Sequence, residues 1–221
     1  MHVFISRLLS SHSVFAQKMS ENNITLTAKS LIQFSACPFD APTTADWIFF
    51  YSKNGVKYYF DQISATTKKY RIACLGPGTA NELLLKTGIQ ADFVGSGAPK
   101  ETAEAFRALA LNKTVAFIQA SNSNKSVQQQ LSETTNILSC IVYTNTAIAE
   151  SFSFLGQVLV FTSPLNAKTY FAQNTINLKQ EIIAIGNSTA DALEKIGVSN
   201  IAIANEPTEA AMAEAVLKLI V

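Results

Sequence analysis

Apolar residues fall in short blocks along this chain, each followed by a mixed stretch, and few of the blocks alternate with polar positions. "HVFIS", "TLTAKSLIQF", "WIFFY", "RIACL", "ADFV", "TVAFIQ", "ILSCIVY", "QVLVF", "EIIAI" and "NIAIA" read as strands. Blocks apolar on both faces fit parallel strands covered by helices on either side, whereas a sheet with one wet face would alternate. Between the blocks, the spacing predicts helices over about 10–21, 53–63, 78–87, 101–110, 124–132, 164–173, 188–196 and 207–219. The alternation as a whole predicts an α/β fold of doubly wound parallel sheets. Two irregular stretches, "ACPFDAPTTAD" following Phe34 and "TNTAIAESFSFLG" following Tyr143, are the natural places for a domain connection.

One phrase occurs twice. "IFFYSKNGVKYYF" (48–60) is matched by "LVFTSPLNAKTYF" (159–171), and "IACLGPGTANELLLKTGI" (72–89) by "IIAIGNSTADALEKIGV" (182–198). The offset holds near 110 residues from Ser52/Ser163 through Gly76/Gly186 to Thr79/Thr189. Self-similarity at one offset predicts two related α/β units.

Composition narrows the function classes. The 221 residues are 48% hydrophobic, enough to fill one large core or two small ones, and they carry a formal charge of +1 with no cluster of Lys and Arg. A nucleic-acid groove is therefore not expected. No apolar stretch reaches the roughly 20 residues that span a bilayer, so no membrane partner is expected. In "MHVFISRLLSSHSVFAQ", Arg7 and the serines dilute the apolar run, which reads as a strand and a helix rather than a signal peptide. Cys37, Cys74 and Cys140 are odd in number and far apart, which fits a reduced, cytoplasmic setting. With only His2 and His12 and no CxxC, a zinc site or histidine triad has little material, and no metal or cofactor is expected.

The candidate chemistry lies at predicted strand ends. Ser52 and Ser163 suit helix N-caps, Ser163 with proline following at the first helical position; both also sit at the strand edge where ligands bind open α/β sheets. "GPGT" (76–79) and "GNST" (186–189) read either as tight turns or as anion loops. In the second case Gly76 admits close approach, and Thr79, Asn187, Ser188 and Thr189 join the backbone N–H groups as donors. Tyr143 ends "ILSCIVY": it is either an ordinary strand-end residue or, since a phenol stays protonated near neutrality, a proton or hydrogen-bond donor. Ser121, Asn124 and Lys125 in "ASNSNK" are open to the same pair of readings, solvated turn or anion partner.

Taken in order, these pieces resemble the uroporphyrinogen-III synthase family. The likeness runs through the opening strand ending in "SR", then "WIFFYSKNGVKYYF", "IACLGPGTANELLLKTGI", "SCIVYTN", "VLVFTSPLNAKTYF", "IIAIGNSTADALEKIGV" and "ANEPTEAAMAEAVLKLI". It implies two small flavodoxin-like α/β domains joined by a two-stranded linker, one discontinuous (1–35 plus 146–221) and one inserted (38–143), with the active site in the cleft between them. It further implies a cofactor-independent, cytoplasmic, monomeric lyase that closes a linear tetrapyrrole, hydroxymethylbilane, with inversion of the last pyrrole ring and loss of water. Tyr143 then matches the tyrosine that helps the hydroxyl depart, and Ser52, Gly76, Thr79, Ser163, Asn187, Ser188 and Thr189 match positions that hold the substrate's carboxylates. Two departures stand out: the loop "QASNSNK" lacks the arginine and glycine frequent there, with Lys125 a substitute, and Lys53 stands where proline is frequent. Two other readings share the fold logic: a noncatalytic module that binds an anionic small molecule, and a sugar- or nucleotide-transferring enzyme, for which the chain is short and lacks a convincing nucleotide loop.

Overall fold

The computed structural model describes residues 1–63 and 70–219. The elements run, in chain order, β1 (His2–Ile5), α1 (Val14–Glu21), β2 (Thr25–Ala28), β3 (Ile32–Ala36), β4 (Trp47–Phe50), α2 (Lys53–Phe60) and β5 (Arg71–Cys74). They continue with α3 (Pro77–Thr87), β6 (Phe93–Val94), α4 (Pro99–Ala110), β7 (Thr114–Ala120), α5 (Ser126–Leu131) and β8 (Asn136–Ala147). The last are β9 (Val158–Phe161), α6 (Pro164–Phe171), β10 (Glu181–Ala184), α7 (Asn187–Glu194), β11 (Ile201–Ile203) and α8 (Glu209–Leu217). Among the described residues, no helix is long and apolar enough to cross a membrane.

The chain forms two compact units, Met1–Gln33 with Thr146–Val221 and Phe34–Asn145. The first holds the parallel sheet β11-β10-β9-β1-β2. The second holds β8-β7-β4-β5-β6, also parallel, with β3 added beside β8. The same spatial layout is thus reached by two chain orders. In the second unit β4-α2-β5-α3-β6-α4 comes first and β7-α5-β8 follows on the other side of β4; in the first unit β1-α1-β2 precedes, and β9-α6-β10-α7-β11-α8 follows. Helix packing obeys this cyclic shift: α2 lies on α3 and α4 on α5, as α6 lies on α7 and α8 on α1.

Each central strand is apolar on both faces because each face has its own helical cover. Ile48 and Phe50 enter a core with Val56, Tyr59 and Leu83, while Trp47 and Phe49 enter another with Phe106 and Val127. In the first unit Leu159 and Phe161 meet Tyr170 and Leu193, and Val158 and Val160 meet Phe15, Met19 and Val216. Burying each such side chain contributes about 1.5–3 kcal/mol, so four consecutive buried residues commit the strand to the middle of its sheet.

"TLTAKSLIQF" is not one strand. It splits at Lys29–Leu31 into β2, on the edge of one sheet, and β3, on the edge of the other. The break has its own polar support: Ser30 Oγ donates to the Ile32 carbonyl at 2.9 Å, and the Leu31 N–H donates to Asn166 Oδ1 at 2.8 Å. The chain passes between the units inside β3 and again inside β8, which is longer than "ILSCIVY" and takes in "TNTA". The Cys37 N–H bonds the Val142 carbonyl and the Ile148 N–H the Leu31 carbonyl, so these two strands run antiparallel.

Tyr51 shows how the sheet supports a helix that caps itself poorly. Lys125, at the N-cap of α5, provides no side-chain bond; instead the Tyr51 hydroxyl accepts from the N–H groups of Val127 and Gln128 at 3.1 and 3.0 Å. Burial pushes this phenol up to about 12, against the smaller opposing effect of those two bonds. The folded protein therefore holds the proton more tightly than the unfolded chain does. The stability this brings is full below about pH 10 and is lost as pH rises towards 12. Tyr51→Phe is expected to cost about 1–3 kcal/mol, from two orphaned N–H groups, and to flatten part of the alkaline fall in melting temperature. Thermal melts of both proteins from neutrality to that alkaline range test it.

Candidate active site

In the second unit β4 ends at Ser52, whose extended backbone turns the chain into α2. Ser52 Oγ accepts from the Gly55 N–H at 3.1 Å, so the N-cap reading holds. The same oxygen lies 3.1 Å from the Tyr143 hydroxyl, so the cap also has a second partner. What brings Tyr143 there is an irregularity in β8. Gln119 pairs with Ile141 but Ala120 pairs with Tyr143, a bulge that leaves Val142 extra. Strict alternation would send Tyr143 to the face opposite Cys140 and Val142; the bulge puts all three into the α2/α3 core. Tyr143 is only 7% exposed, with Tyr58 stacked on its ring at 5.3 Å and 17°.

Burial raises the Tyr143 phenol above its ordinary value; the Ser52 bond opposes the rise and Tyr58 adds to it. The group is therefore neutral at physiological pH and holds a proton it can present. Tyr58 was not anticipated as part of this arrangement, although the aromatic pair that follows Ser52 in "SKNGVKYYF" is the signal that carries it.

The neighbouring strand β5 leads to Gly76, the N-cap of α3, which provides no side-chain bond. Pro77 has no N–H to donate, and Thr79 and Ala80 donate to the Gly76 carbonyl, leaving the Gly78 N–H without a partner among the described residues. Thr79 is 8% exposed, and no described residue bonds its hydroxyl. Because β4 and β5 are adjacent and parallel, Ser52 and the turn Gly76–Thr79 share one sheet edge with Tyr143. The loop "ASNSNK" borders it: Ser121 donates its N–H to the Tyr143 carbonyl at 3.0 Å and its hydroxyl to Thr144 at 2.9 Å.

The first unit repeats the design at its own edge. Ser163 Oγ caps α6 by accepting from the Asn166 N–H at 3.2 Å and from Asn166 Nδ2 at 3.0 Å. Next to it β10 leads to Gly186 and the first turn of α7. Asn187 and Ser188 are exposed and their N–H groups have no partner among the described residues. Thr189 is 1% exposed, and its hydroxyl is buried without a hydrogen-bond partner among the described residues. Leaving a hydroxyl unpartnered costs about 1–3 kcal/mol, a cost that a ligand oxygen would remove. Thr189→Ala is thus expected to keep or slightly raise the melting temperature while raising the Michaelis constant for an anionic substrate roughly three- to tenfold; an unchanged constant removes Thr189 from the site. Among the described residues, no group of three or more His, Cys, Asp and Glu is placed to hold a metal ion.

Two α/β units, each built on a parallel sheet with a pair of hydroxyl-bearing helix starts at its C-terminal strand edge, and one buried neutral tyrosine bonded to a cap, define the chain as a two-unit α/β protein. The sequence pattern of the family described as Uroporphyrinogen-III synthase HemD matches residues 15–214, and the chain belongs to that family. Its fold is similar to the crystal structure of uroporphyrinogen-III synthetase from Helicobacter pylori 26695, with a TM-score of 0.77 and 21% identity over 99% of both chains. It is also similar to a mutant uroporphyrinogen III synthase from the extremely thermophilic bacterium Thermus thermophilus, with a TM-score of 0.65 and 16% identity over 100% of this chain and 98% of that one. No curated protein sequence matches the chain.

Proposed function

We propose that this protein closes hydroxymethylbilane to uroporphyrinogen III as a cytoplasmic monomer without a cofactor, using Tyr143 at the departing hydroxyl. The observation that carries the reading is the family match across residues 15–214. The C–O bond of the terminal hydroxymethyl group breaks as its oxygen accepts a proton and leaves as water, giving an azafulvenium cation (the protonated azafulvene). The substituted α-carbon of the last pyrrole attacks that electrophile to give a spiro cation. The older bond from this carbon to the methylene of the third ring then breaks, that methylene bonds the last ring's free α-carbon instead, which inverts the ring, and loss of the proton at that carbon restores aromaticity. Because burial holds the Tyr143 proton tightly, its phenol serves best as a hydrogen-bond donor that follows the leaving oxygen.

The bilane closes unaided to the uninverted isomer, so most of the enzyme's contribution is to hold one folded geometry, an orientation effect of up to several kcal/mol. Ser52, Gly76 and Thr79 in one unit, and Ser163, Asn187, Ser188 and Thr189 in the other, take the acetate and propionate arms, and Lys125 substitutes for the arginine of related loops. Neutral donors at helix starts suit eight carboxylates without a strongly basic surface. The absence of arginine from "QASNSNK" favours, as a second reading, a noncatalytic binder of an anionic small molecule. One assay separates the two: supply freshly generated hydroxymethylbilane, oxidise the products and resolve the type I and type III isomers by chromatography. Type III product in excess of the spontaneous reaction supports the synthase; type I alone at the uncatalysed rate overturns it.

A further inference from the structure

Lys53 is the wrong residue for its own helix. At the first position of α2 a cation faces the positive end of the helix dipole, where proline, as in the equivalent Pro164, or an acid would be favoured. Its side chain also lies along a second helix start. A β-carbon placed on Gly78, in the first turn of α3, would sit 3.3 Å from Lys53 Cε and 4.0 Å from Nζ. Among the described residues no carboxylate pairs with Lys53. In the same turn stand the buried Thr79 hydroxyl and the Gly78 N–H, both without a partner among the described residues. An ammonium without an ion-pair partner among the described residues and two helix starts thus concentrate positive potential at one place. A chain that breaks a local stability rule in this way does so most often at a functional site.

We infer that Lys53, Thr79 and the Gly78 N–H recognise one carboxylate, and, resting on the reading above, that this carboxylate is an acetate or propionate arm of hydroxymethylbilane. The ammonium supplies charge; the hydroxyl and the N–H supply direction. The residue that departs from the family's frequent proline is then a specificity element of this chain, and the repeat gains an asymmetry, because the equivalent position of the other unit is Pro164, which carries no charge.

The test compares Lys53→Met, Lys53→Arg and Lys53→Glu with the wild type in the hydroxymethylbilane assay. Lys53→Met is expected to raise the Michaelis constant roughly three- to tenfold while kcat stays within about twofold, and Lys53→Arg to restore it. Lys53→Glu is expected to bind worst yet to melt at or above the wild-type temperature, since an acid suits the start of α2; this separates binding from fold. A Michaelis constant unchanged in Lys53→Met, or a loss confined to kcat, overturns the inference. Fluorescence titration with uroporphyrin III gives a readout independent of turnover. A wild type that makes no type III product but binds this polycarboxylate more tightly than Lys53→Met refutes the synthase reading and supports the lysine's role.

Discussion

Tyr143→Phe is expected to lower turnover by about two orders of magnitude or more while changing product affinity by less than about threefold. The substitution keeps the ring, its stacking on Tyr58 and its place in the α2/α3 core, so only the hydroxyl is lost. Ser52 remains bonded to the Gly55 N–H, and the cost in stability is about 1 kcal/mol. A donor that acts mainly as the leaving oxygen gains charge contributes to the transition state and little to ground-state binding, so its loss falls on kcat. The pH dependence has a defined sign. The phenol's value is raised above 10, so activity that needs its neutral form persists up to about that pH, and the alkaline limb due to Tyr143 lies beyond it. Steady-state kinetics on the bilane and titration with uroporphyrin III decide the matter; an unchanged rate removes Tyr143 from the mechanism.

The route by which Tyr143 reaches Ser52 also shows where sequence reading stops. Strand blocks such as "WIFFY" and "QVLVF" were legible because two-sided burial demands unbroken apolarity, and Ser52 and Ser163 were legible as caps because each ends such a block. A bulge adds no special residue to β8, so nothing in "SCIVYTN" announces that Tyr143 shares a face with Val142. In the same way "TLTAKSLIQF" contains no glycine or proline to mark its break; what separates β2 from β3 is a bond from Leu31 to Asn166, 135 residues away. The repeat was visible as a fixed offset, but the cyclic shift of chain order was not, because β1-α1-β2 and β7-α5-β8 share a sheet position without a common phrase. Lys53 appeared only as an unusual residue. Its path across Gly78 depends on the packing of α2 on α3, which local spacing does not encode.

Gly76→Ala and Gly186→Ala are expected to part company, although the two glycines hold equivalent places in the repeat. Neither needs glycine for its backbone, since both residues are extended, with φ of −162° and 177°. The difference is in what a methyl group would meet. At Gly76 it would lie 2.8 Å from Gly97 Cα, a backbone atom with no rotamer to yield, so the first turn of α3 must shift, at a cost of about 1–3 kcal/mol. At Gly186 it would meet nothing within 4 Å among the described residues. The fold therefore gives no reason for Gly186, and alanine there is expected to raise stability by about 0.4–1 kcal/mol by restricting the unfolded chain. If the space exists for a substrate carboxylate approaching the N–H groups of Asn187 and Ser188, that same methyl blocks the approach and raises the Michaelis constant about tenfold or more. Melting temperature and kinetics must move in opposite senses for Gly186→Ala, more stable and less able to bind, whereas Gly76→Ala loses both. A Gly186→Ala protein with wild-type affinity would show that the space beside α7 is not the ligand's, and would leave the Gly76 edge, with Ser52 and Tyr143, as the part of the repeat that does the binding.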